Sequence, residues 1–292
     1  SIPLPFWLWI MFVRITSLCL LVIFSFSLKA KPNVVFFFID DLGWTDLGFM
    51  GSKYYESPHI DRLASEGTVF MNAYAAAPNC APSRACLMSG QYTPRHGIYT
   101  VNNSDRGSAK HRKLIPIRNT IHLADEFVTL GESLQAAGYV TATIGKWHLG
   151  KDPTTQGFDF NVAGKQWGSP SGGGYHSPYK YPNLEQKNKG EYLTDRLGRE
   201  ACKFIEQCKD KPFFLYFTHY AVHTPIEAKE ELIKKYQRKK ATDRHNNPAY
   251  AAMIESTDDS VGMVLAKLEE LDLSENTIVL FFSDNGGHGP VT

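Results

Sequence analysis

Cysteine is scarce in this sequence, with five among 292 residues. Cys19 lies in an apolar N-terminal run. Cys202 and Cys208 share one predicted helix, and their spacing points them to different faces, which is poorly suited to a disulfide. The sequence is therefore not that of a disulfide-stabilised scaffold, and its cysteines say nothing about the compartment in which the protein works.

An excess of charge of either sign is also lacking. The 31 Lys and Arg residues nearly balance the 30 Asp and Glu residues, which gives a net charge of +1. This balance argues against electrostatic binding to nucleic acid or to a membrane surface. The hydrophobic content of 43% is that of an ordinary globular chain, without repeats or low-complexity tracts, and is sufficient for one large α/β domain.

The N-terminus has the features of a targeting segment. Met11 is followed by Arg14 and by an apolar run from Ile15 to Leu28, and small residues end the run near Ala30. This pattern predicts a signal peptide over residues 11–30, so that the protein is secreted or periplasmic and free of the membrane after cleavage. Residues 1–10 precede the first Met and are expected to be upstream, non-native sequence. An uncleaved anchor over residues 1–28 is the alternative.

Alternating strand and helix patterns fill residues 31–292, which we expect to form one domain. Nearly continuous apolar runs are typical of strands that are buried on both faces of a parallel sheet. The five predicted strands are Asn33–Ile39, Thr68–Ala73, Tyr139–Ile144, Phe213–Thr218 and Thr277–Phe282. The main predicted helices are Pro58–Gly67, Leu130–Ala137, Tyr192–Cys208 and Asn247–Leu271. The pattern predicts an α/β fold with a mostly parallel central sheet flanked by helices.

A long polar excursion is expected between Thr154 and Gly190, where Gly, Ser, Pro, Asn and Lys are frequent. It carries several aromatic rings, among them Trp167, Tyr175 and Tyr181. Exposed rings on such a loop would suit a carbohydrate substrate. The alternative is that they pack the loop onto the domain.

The segment from Cys80 to Gly90 reads CAPSRACLMSG. Pro82 is suited to the first turn of a helix and Gly90 to its end, so Cys80 is predicted at a helix N-terminus, where backbone N–H groups attract anions. Arg84, one turn further, can reach back toward the same position. The three residues between Cys80 and Arg84 are too few for a tyrosine-phosphatase loop, and two cysteines are too few for a zinc site. A merely buried cysteine before a helix is the remaining alternative.

Polar residues follow the other predicted strands. Asp40 and Asp41 follow the first strand, and Asp284 and Asn285 follow the last. Because the carboxyl ends of parallel strands meet at one edge of a sheet, these oxygen ligands are expected to bind Ca²⁺ or Mg²⁺, although Asp and Asn also serve simply as turn residues.

Basic residues follow two further strands. Lys146 and His148 come after the strand that ends at Ile144, and His223 follows the strand that ends at Thr218. Lys and His two apart in an extended segment share one face, so they would supply a cation and a proton donor to one pocket. A structural role for each histidine is the alternative.

Taken together and in this order, these motifs resemble those of the type I sulfatases of the alkaline-phosphatase-like superfamily, from about Lys31 to the last residue. The resemblance implies that a formylglycine-generating enzyme oxidises Cys80 to formylglycine, whose hydrate is the nucleophile. It implies that Arg84 holds this hydrate and that Lys146, His148 and His223 contact the sulfate and handle protons. It also implies a Ca²⁺ site formed by Asp40, Asp41, Asp284, Asn285 and the modified Cys80.

The family also has a further active-site lysine and a C-terminal subdomain, and the sequence ends at Thr292 before either. The catalytic domain is therefore expected to be incomplete at its C-terminus, with little activity. The expected reaction is hydrolysis of sulfate esters, with a sulfated carbohydrate as substrate. The alternatives are a phosphonate or phosphate-ester hydrolase of the same superfamily and an inactive metal-binding protein.

Overall fold

The computed structural model describes residues 31–242 and 244–289. The predicted signal peptide and residues 1–10 lie outside this range. The strands are β1 (Asn33–Ile39), β2 (Val140–Gly145), β3 (Phe160–Val162), β4 (Phe213–Thr218) and β5 (Thr277–Ser283). The helices are α1 (Pro58–Glu66), α2 (Cys80–Ser89), α3 (Thr93–His96), α4 (Leu130–Ala136), α5 (Leu193–Cys208), α6 (Glu230–Gln237) and α7 (Pro248–Glu270).

One five-stranded sheet, in the order β3-β2-β4-β1-β5, forms the centre of the domain. Every strand pair in it is parallel. The register pairs Ile39 with Ser283 and Gly145 with Thr218, so four strands end close to one line. The prediction of a mostly parallel central sheet is confirmed.

Helices cover both faces of the sheet. On one face, α5 and α7 bury a core that includes Phe37 and Phe217. On the other, α2 and α4 pack over a smaller core that includes Phe38 and Tyr216. Because both faces are covered, β4 is buried along its whole length, which explains its continuous apolar sequence.

The expected strand Thr68–Ala73 is wrong. The backbone turns at this point, where the Ala73 N–H donates to the Phe70 carbonyl, and the whole segment is exposed. A strand forms only where a neighbour takes up its backbone hydrogen bonds, and no described strand lies beside this segment. The three-residue β3 lies inside the predicted excursion. It was not predicted, because three residues are too few to show the pattern of a strand.

The aromatic rings of the excursion point inward. Tyr175, Tyr179 and Tyr181 are at most 6% exposed, and the Trp167 ring packs edge-on against Tyr181. The alternative reading, in which these rings pack the loop onto the domain, is therefore correct. The excursion offers no row of exposed tyrosines to a sugar.

The described residues also show how the cysteines are paired and how apolar the helices are. Cys202 and Cys208 do not pair with each other, and neither Cys80 nor Cys86 is in a disulfide. None of the described helices is both long enough and apolar enough to cross a membrane.

Candidate active site

Three carboxylates converge at the carboxyl edge of the sheet. Asp40 and Asp41 follow β1 directly, and Asp284 follows β5, which lies beside β1. One oxygen from each of the three lies within 4.8 Å of the others. Asp40 and Asp284 are fully buried, and the Asp284 carboxylate also accepts the Asp41 N–H at 3.2 Å. The predicted acidic cluster is thus assembled by the parallel pairing of two strands that are distant in sequence.

Asn285 completes this cluster. Its Nδ2 donates to Asp41 Oδ1 at 2.8 Å, whereas its Oδ1 is buried without a hydrogen-bond partner among the described residues. A buried amide oxygen without a donor is costly unless another group satisfies it, and a hard cation would do so. The four predicted metal ligands on strand ends therefore lie together, with an oxygen free to bind.

Arg84 is fully buried behind the acidic cluster. Its Nε and Nη2 both donate to Asp284 Oδ2, at 3.1 and 2.9 Å, and Nη2 also approaches Asp40 Oδ1 at 3.4 Å. Burial opposes its charge most strongly, but the combined effects of Asp284, Tyr216, Asp40 and Cys80 outweigh burial and raise the pKa of Arg84. Arg84 is therefore a permanent cation, held rigidly beside the start of α2.

Lys146 lies directly after β2 and is also fully buried. Its Nζ is 2.5 Å from Asp40 Oδ2. The preceding residue must be glycine, because φ at Gly145 is +108° and a Cβ there would lie 1.7 Å from the Thr218 carbonyl oxygen. This close approach of two backbone segments, at Gly145 and Thr218, sets the point at which Lys146 enters the cluster.

The pKa values of the paired acids Asp40 and Asp284 are shifted in opposite directions. Burial raises the pKa of Asp40 well above its ordinary value, with Asp284 adding to the effect and Lys146 opposing it. Burial acts in the same direction on Asp284, but Arg84, Asp40, Lys146 and the Asp41 N–H together outweigh it and lower the pKa of Asp284. Of the two, Asp40 is therefore the weaker acid and Asp284 the stronger.

Cys80 is the first residue of α2 and is 6% exposed. As predicted, the helix ends at Gly90, whose φ is 63°. Burial raises the pKa of the Cys80 thiol, and the charges of Lys146, Asp40, Asp284 and Arg84 all act on it. The cysteine therefore lies within reach of the cluster, but as a protonated thiol it is a weak nucleophile.

His148 lies two residues beyond Lys146 and is 5% exposed. Burial is the main reason that its pKa falls to about 2, and the nearby Lys146, Arg84 and His223 lower it further. The ring is therefore neutral with one unprotonated nitrogen, and it is a weak base unless negative charge lies beside it.

His223 lies on the loop after β4. Its Nδ1 is 2.7 Å from the Thr224 carbonyl, which only accepts, so Nδ1 carries the proton and Nε2 is left as the acceptor. Nε2 is 3.8 Å from Asp41 Oδ2. Burial and Lys146 lower the pKa of His223, against the opposing effects of Thr224 and Asp41. The structure therefore brings together all the predicted site residues, from five separate segments of the chain.

Several residues that support the site were not predicted. The Thr218 hydroxyl accepts a hydrogen bond from Arg84 Nη1, and Ser83 Oγ donates to the Asp284 carbonyl at 2.5 Å. The Tyr175 hydroxyl lies 2.8 Å from the carbonyls of both Tyr220 and His223. Thr218 ends β4, so its position at the carboxyl edge of the sheet could have marked it as a residue that supports the site. The sequence singled out Tyr175 only as an aromatic ring of the excursion, and nothing in it pointed to this contact with the His223 loop.

An α/β protein with buried cations and clustered carboxylates at the carboxyl edge of its sheet has a site suited to an anionic substrate. Comparison with known proteins defines the family further. Residues 32–290 match the family model described as Sulfatase. The chain belongs to the sulfatase family.

Individual relatives agree with this assignment. A protein named sulfatase from Formosa agariphila is 36% identical over 321 aligned positions, which cover 88% of this chain and 58% of the relative. The N-acetylgalactosamine-6-sulfatase of Homo sapiens is 34% identical, over 87% of this chain and 50% of the relative. The chain thus spans about half the length of the curated relatives that it matches.

Among solved structures, Ps i-CgsB in complex with k-i-k-neocarrahexaose is similar to this chain, with a TM-score of 0.71 and 32% sequence identity. The match covers 89% of this chain and 60% of that structure. The parallel sheet and its helices are therefore those of a sulfatase fold.

Proposed function

We propose that this protein hydrolyses sulfate esters, with Cys80 as the source of the nucleophile. The observation that carries the proposal is the buried cluster at the start of α2, where Arg84 and Lys146 pair with Asp284 and Asp40 beside Cys80. Two fixed cations at a helix N-terminus suit the oxygens of a sulfate group.

A metal fits this cluster on charge as well as on donor type. With Asp40, Asp41 and Asp284 ionised, three negative charges face the two positive charges of Arg84 and Lys146, which leaves a net charge of −1. A sulfate monoester is itself an anion, and this net charge would repel it. A Ca²⁺ ion held by these carboxylates and Asn285 would reverse the sign of the site and offset charge on the sulfate oxygens.

The protein's own residues would divide the remaining work. Arg84 would hold the formylglycine hydrate, and Lys146 would contact the sulfate oxygens in a water-poor pocket, where fixed charges act strongly. His223 lies at the edge of the cluster with its Nδ1–H held by the Thr224 carbonyl. In its doubly protonated form it would donate the Nε2 proton to the leaving alcohol. His148 is neutral and would accept a proton when the second hydroxyl of the nucleophile is deprotonated.

A modified Cys80 fits the site better than a free thiol. Burial keeps the thiol protonated, so catalysis by a thiolate is disfavoured. The hydrated aldehyde of formylglycine supplies one hydroxyl for attack on sulfur and a second whose loss of a proton releases sulfate. The partner implied is a formylglycine-generating enzyme that acts during maturation.

Peptide mass spectrometry tests this modification. Trypsin cuts after Arg84 and so separates Cys80, in the peptide 63–84, from Cys86, in the peptide 85–95. After co-expression with a maturation enzyme, the Cys80 peptide should carry the aldehyde, while the Cys86 peptide serves as an internal control and stays a thiol. An unmodified Cys80, under conditions that mature a known sulfatase, would contradict the proposal.

For the substrate we propose a sulfated carbohydrate. The support comes from relatives, one named for N-acetylgalactosamine 6-sulfate and one structure solved with a neocarrahexaose. A panel of sulfated saccharides, aryl sulfates, phosphate monoesters and phosphonate esters would test this, with Cys80→Ala as the blank. Turnover confined to aryl sulfates would exclude carbohydrate, and turnover confined to the phosphorus esters would exclude sulfatase activity altogether.

We further propose export of the protein through a signal peptide over residues 11–30, on the sequence pattern alone. N-terminal sequencing of the protein recovered outside the cytoplasm should begin near residue 31. Recovery of an uncleaved chain in the membrane fraction would favour the anchor instead.

A further inference from the structure

The backbone at His148 is held in a rare conformation. Its φ is 63°, in the left-handed region, which histidine tolerates better than most residues that carry a side chain. Its N–H donates to the Lys165 carbonyl at 2.9 Å. The predicted excursion therefore reaches the active site through its backbone.

The His148 ring is oriented without the hydrogen bond that usually serves this purpose. In many catalytic histidines a carboxylate or carbonyl holds Nδ1 and so fixes the ring. Here Nδ1 is buried and has no hydrogen-bond partner among the described residues. The ring orientation must therefore come from packing.

Gly168 supplies that packing. A Cβ added at this glycine would lie 2.4 Å from His148 Cε1 and 2.6 Å from Nε2, far inside contact distance. Gly168 is not among the glycines with a positive φ, so its backbone conformation is open to other residues. The requirement for glycine at 168 thus comes from the imidazole and not from the backbone.

We infer that Gly168 is a positioning residue for His148: its bare backbone packs on the imidazole and sets the direction of both ring nitrogens. The inference rests on the proposed function, in which His148 handles a proton. It gives the excursion a role in turnover that its inward-facing tyrosines do not have.

The test compares two glycine substitutions. Gly168→Ala places a methyl group against the ring. Gly150→Ala, two residues beyond His148, is the matched control, because its nearest neighbour would be Trp147 Nε1 at an ordinary 3.8 Å. Both glycines lie outside the left-handed region, so the two variants carry a similar backbone effect.

A double-mutant cycle on stability separates ring contact from general damage. Gly168→Ala should lower Tm by several degrees when His148 is present and by much less in the His148→Ala background, where the methyl group has room. Equal losses in both backgrounds, or none in either, would overturn the inference. If Gly168→Ala fails to fold alone, folding of the double variant would still support the contact, and its failure to fold would refute it.

Kinetics give the second readout. Displacing a reacting group by about 1 Å can cost about 10²-fold in rate. Gly168→Ala should therefore lower kcat by about 10²-fold while KM stays within about threefold, and Gly150→Ala should leave both close to wild type. An unchanged kcat in folded Gly168→Ala would overturn the inference. The stability cycle needs no turnover, so it decides the question even if the sulfatase proposal fails.

Discussion

At the scale of single residues, much of the candidate active site serves to satisfy the buried charge of Arg84. Its guanidinium is surrounded by Asp284, Asp40, the Lys146 carbonyl and the Thr218 hydroxyl. Removing one partner from a buried charged group leaves that group's desolvation uncompensated. Each of these partners is therefore expected to matter for stability as well as for catalysis.

Thr218 offers a test of this expectation. Thr218→Val keeps the shape of the side chain but leaves one N–H of Arg84 Nη1 without its acceptor, since the other donates to Lys146. We expect the free energy of unfolding to fall by about 1–3 kcal/mol, measured by urea denaturation.

Thr218→Ser is the matched control for this substitution. It keeps the hydroxyl and loses one methyl group, which costs about 0.8 kcal/mol. A valine variant as stable as the serine variant would show that the hydroxyl contributes nothing.

At the scale of secondary-structure elements, α7 holds α1 through a buried carboxylate. Asp258 of α7 accepts the backbone N–H groups of His59 and Ile60, at 3.1 and 2.8 Å, in the first turn of α1. Burial raises the pKa of Asp258 to about 6, although these N–H groups lower it. The contact thus places a poorly solvated carboxylate at a helix N-terminus, away from the active site.

This contact predicts a pH dependence of stability. Between the unfolded pKa of about 3.9 and the folded value of about 6, the folded state binds more protons. Stability should therefore fall as pH rises through this window.

Asp258→Asn removes this titration. Wild type should lose about 2–3 kcal/mol of its free energy of unfolding between pH 4 and pH 7 through Asp258, and Asp258→Asn should not show this loss. Thermal melts across that range provide the measurement, with the exposed Asp125→Asn as control. Parallel pH profiles for Asp258→Asn and wild type would contradict the assignment.

At the scale of the whole molecule, the sheet is covered least at its edges, above all along β5. This strand forms one edge of the sheet, and Ile278 and Leu280 on it are 49% and 44% exposed. The same strand leads into Asp284 and Asn285, so two of the four proposed metal ligands follow an exposed edge strand. A cation that ties Asp284 to Asp40 and Asp41 would join β5 to β1, and metal binding and global stability should therefore be linked.

Calcium should accordingly raise the thermal stability of the protein. At a hundredfold excess of free Ca²⁺ over its Kd, the gain is about 2.7 kcal/mol, and a chelator should remove it. Differential scanning calorimetry with and without chelator measures the shift.

Two variants locate the effect of calcium. Asp41→Asn should abolish it, because Asp41 is one of the three clustered carboxylates. Asp259→Asn should retain it, because Asp259 belongs to the separate group with His59 and Asp258. Stabilisation that survives Asp41→Asn and disappears in Asp259→Asn would place the ion at the group with His59 and Asp258 and would contradict the proposed site.

The sequence by itself determined which strand-end residues meet and at which edge of the sheet they do so. Parallel strands place their carboxyl ends together, so residues that follow apolar runs, such as Asp40, Lys146 and Asp284, are predictable as neighbours. Pro82 and Gly90 similarly marked α2, because proline and glycine act through the local backbone alone.

Only the tertiary structure decided the rest, because those features depend on partners that are distant in the chain. Thr68–Ala73 has strand composition but no neighbouring strand, and the excursion's tyrosines turn inward because a core is there to receive them. Thr218 meets Arg84 through the register of β1, β4 and β2. Gly168 meets His148 through a loop that no local pattern constrains, since its contacts arise only once the chain is folded.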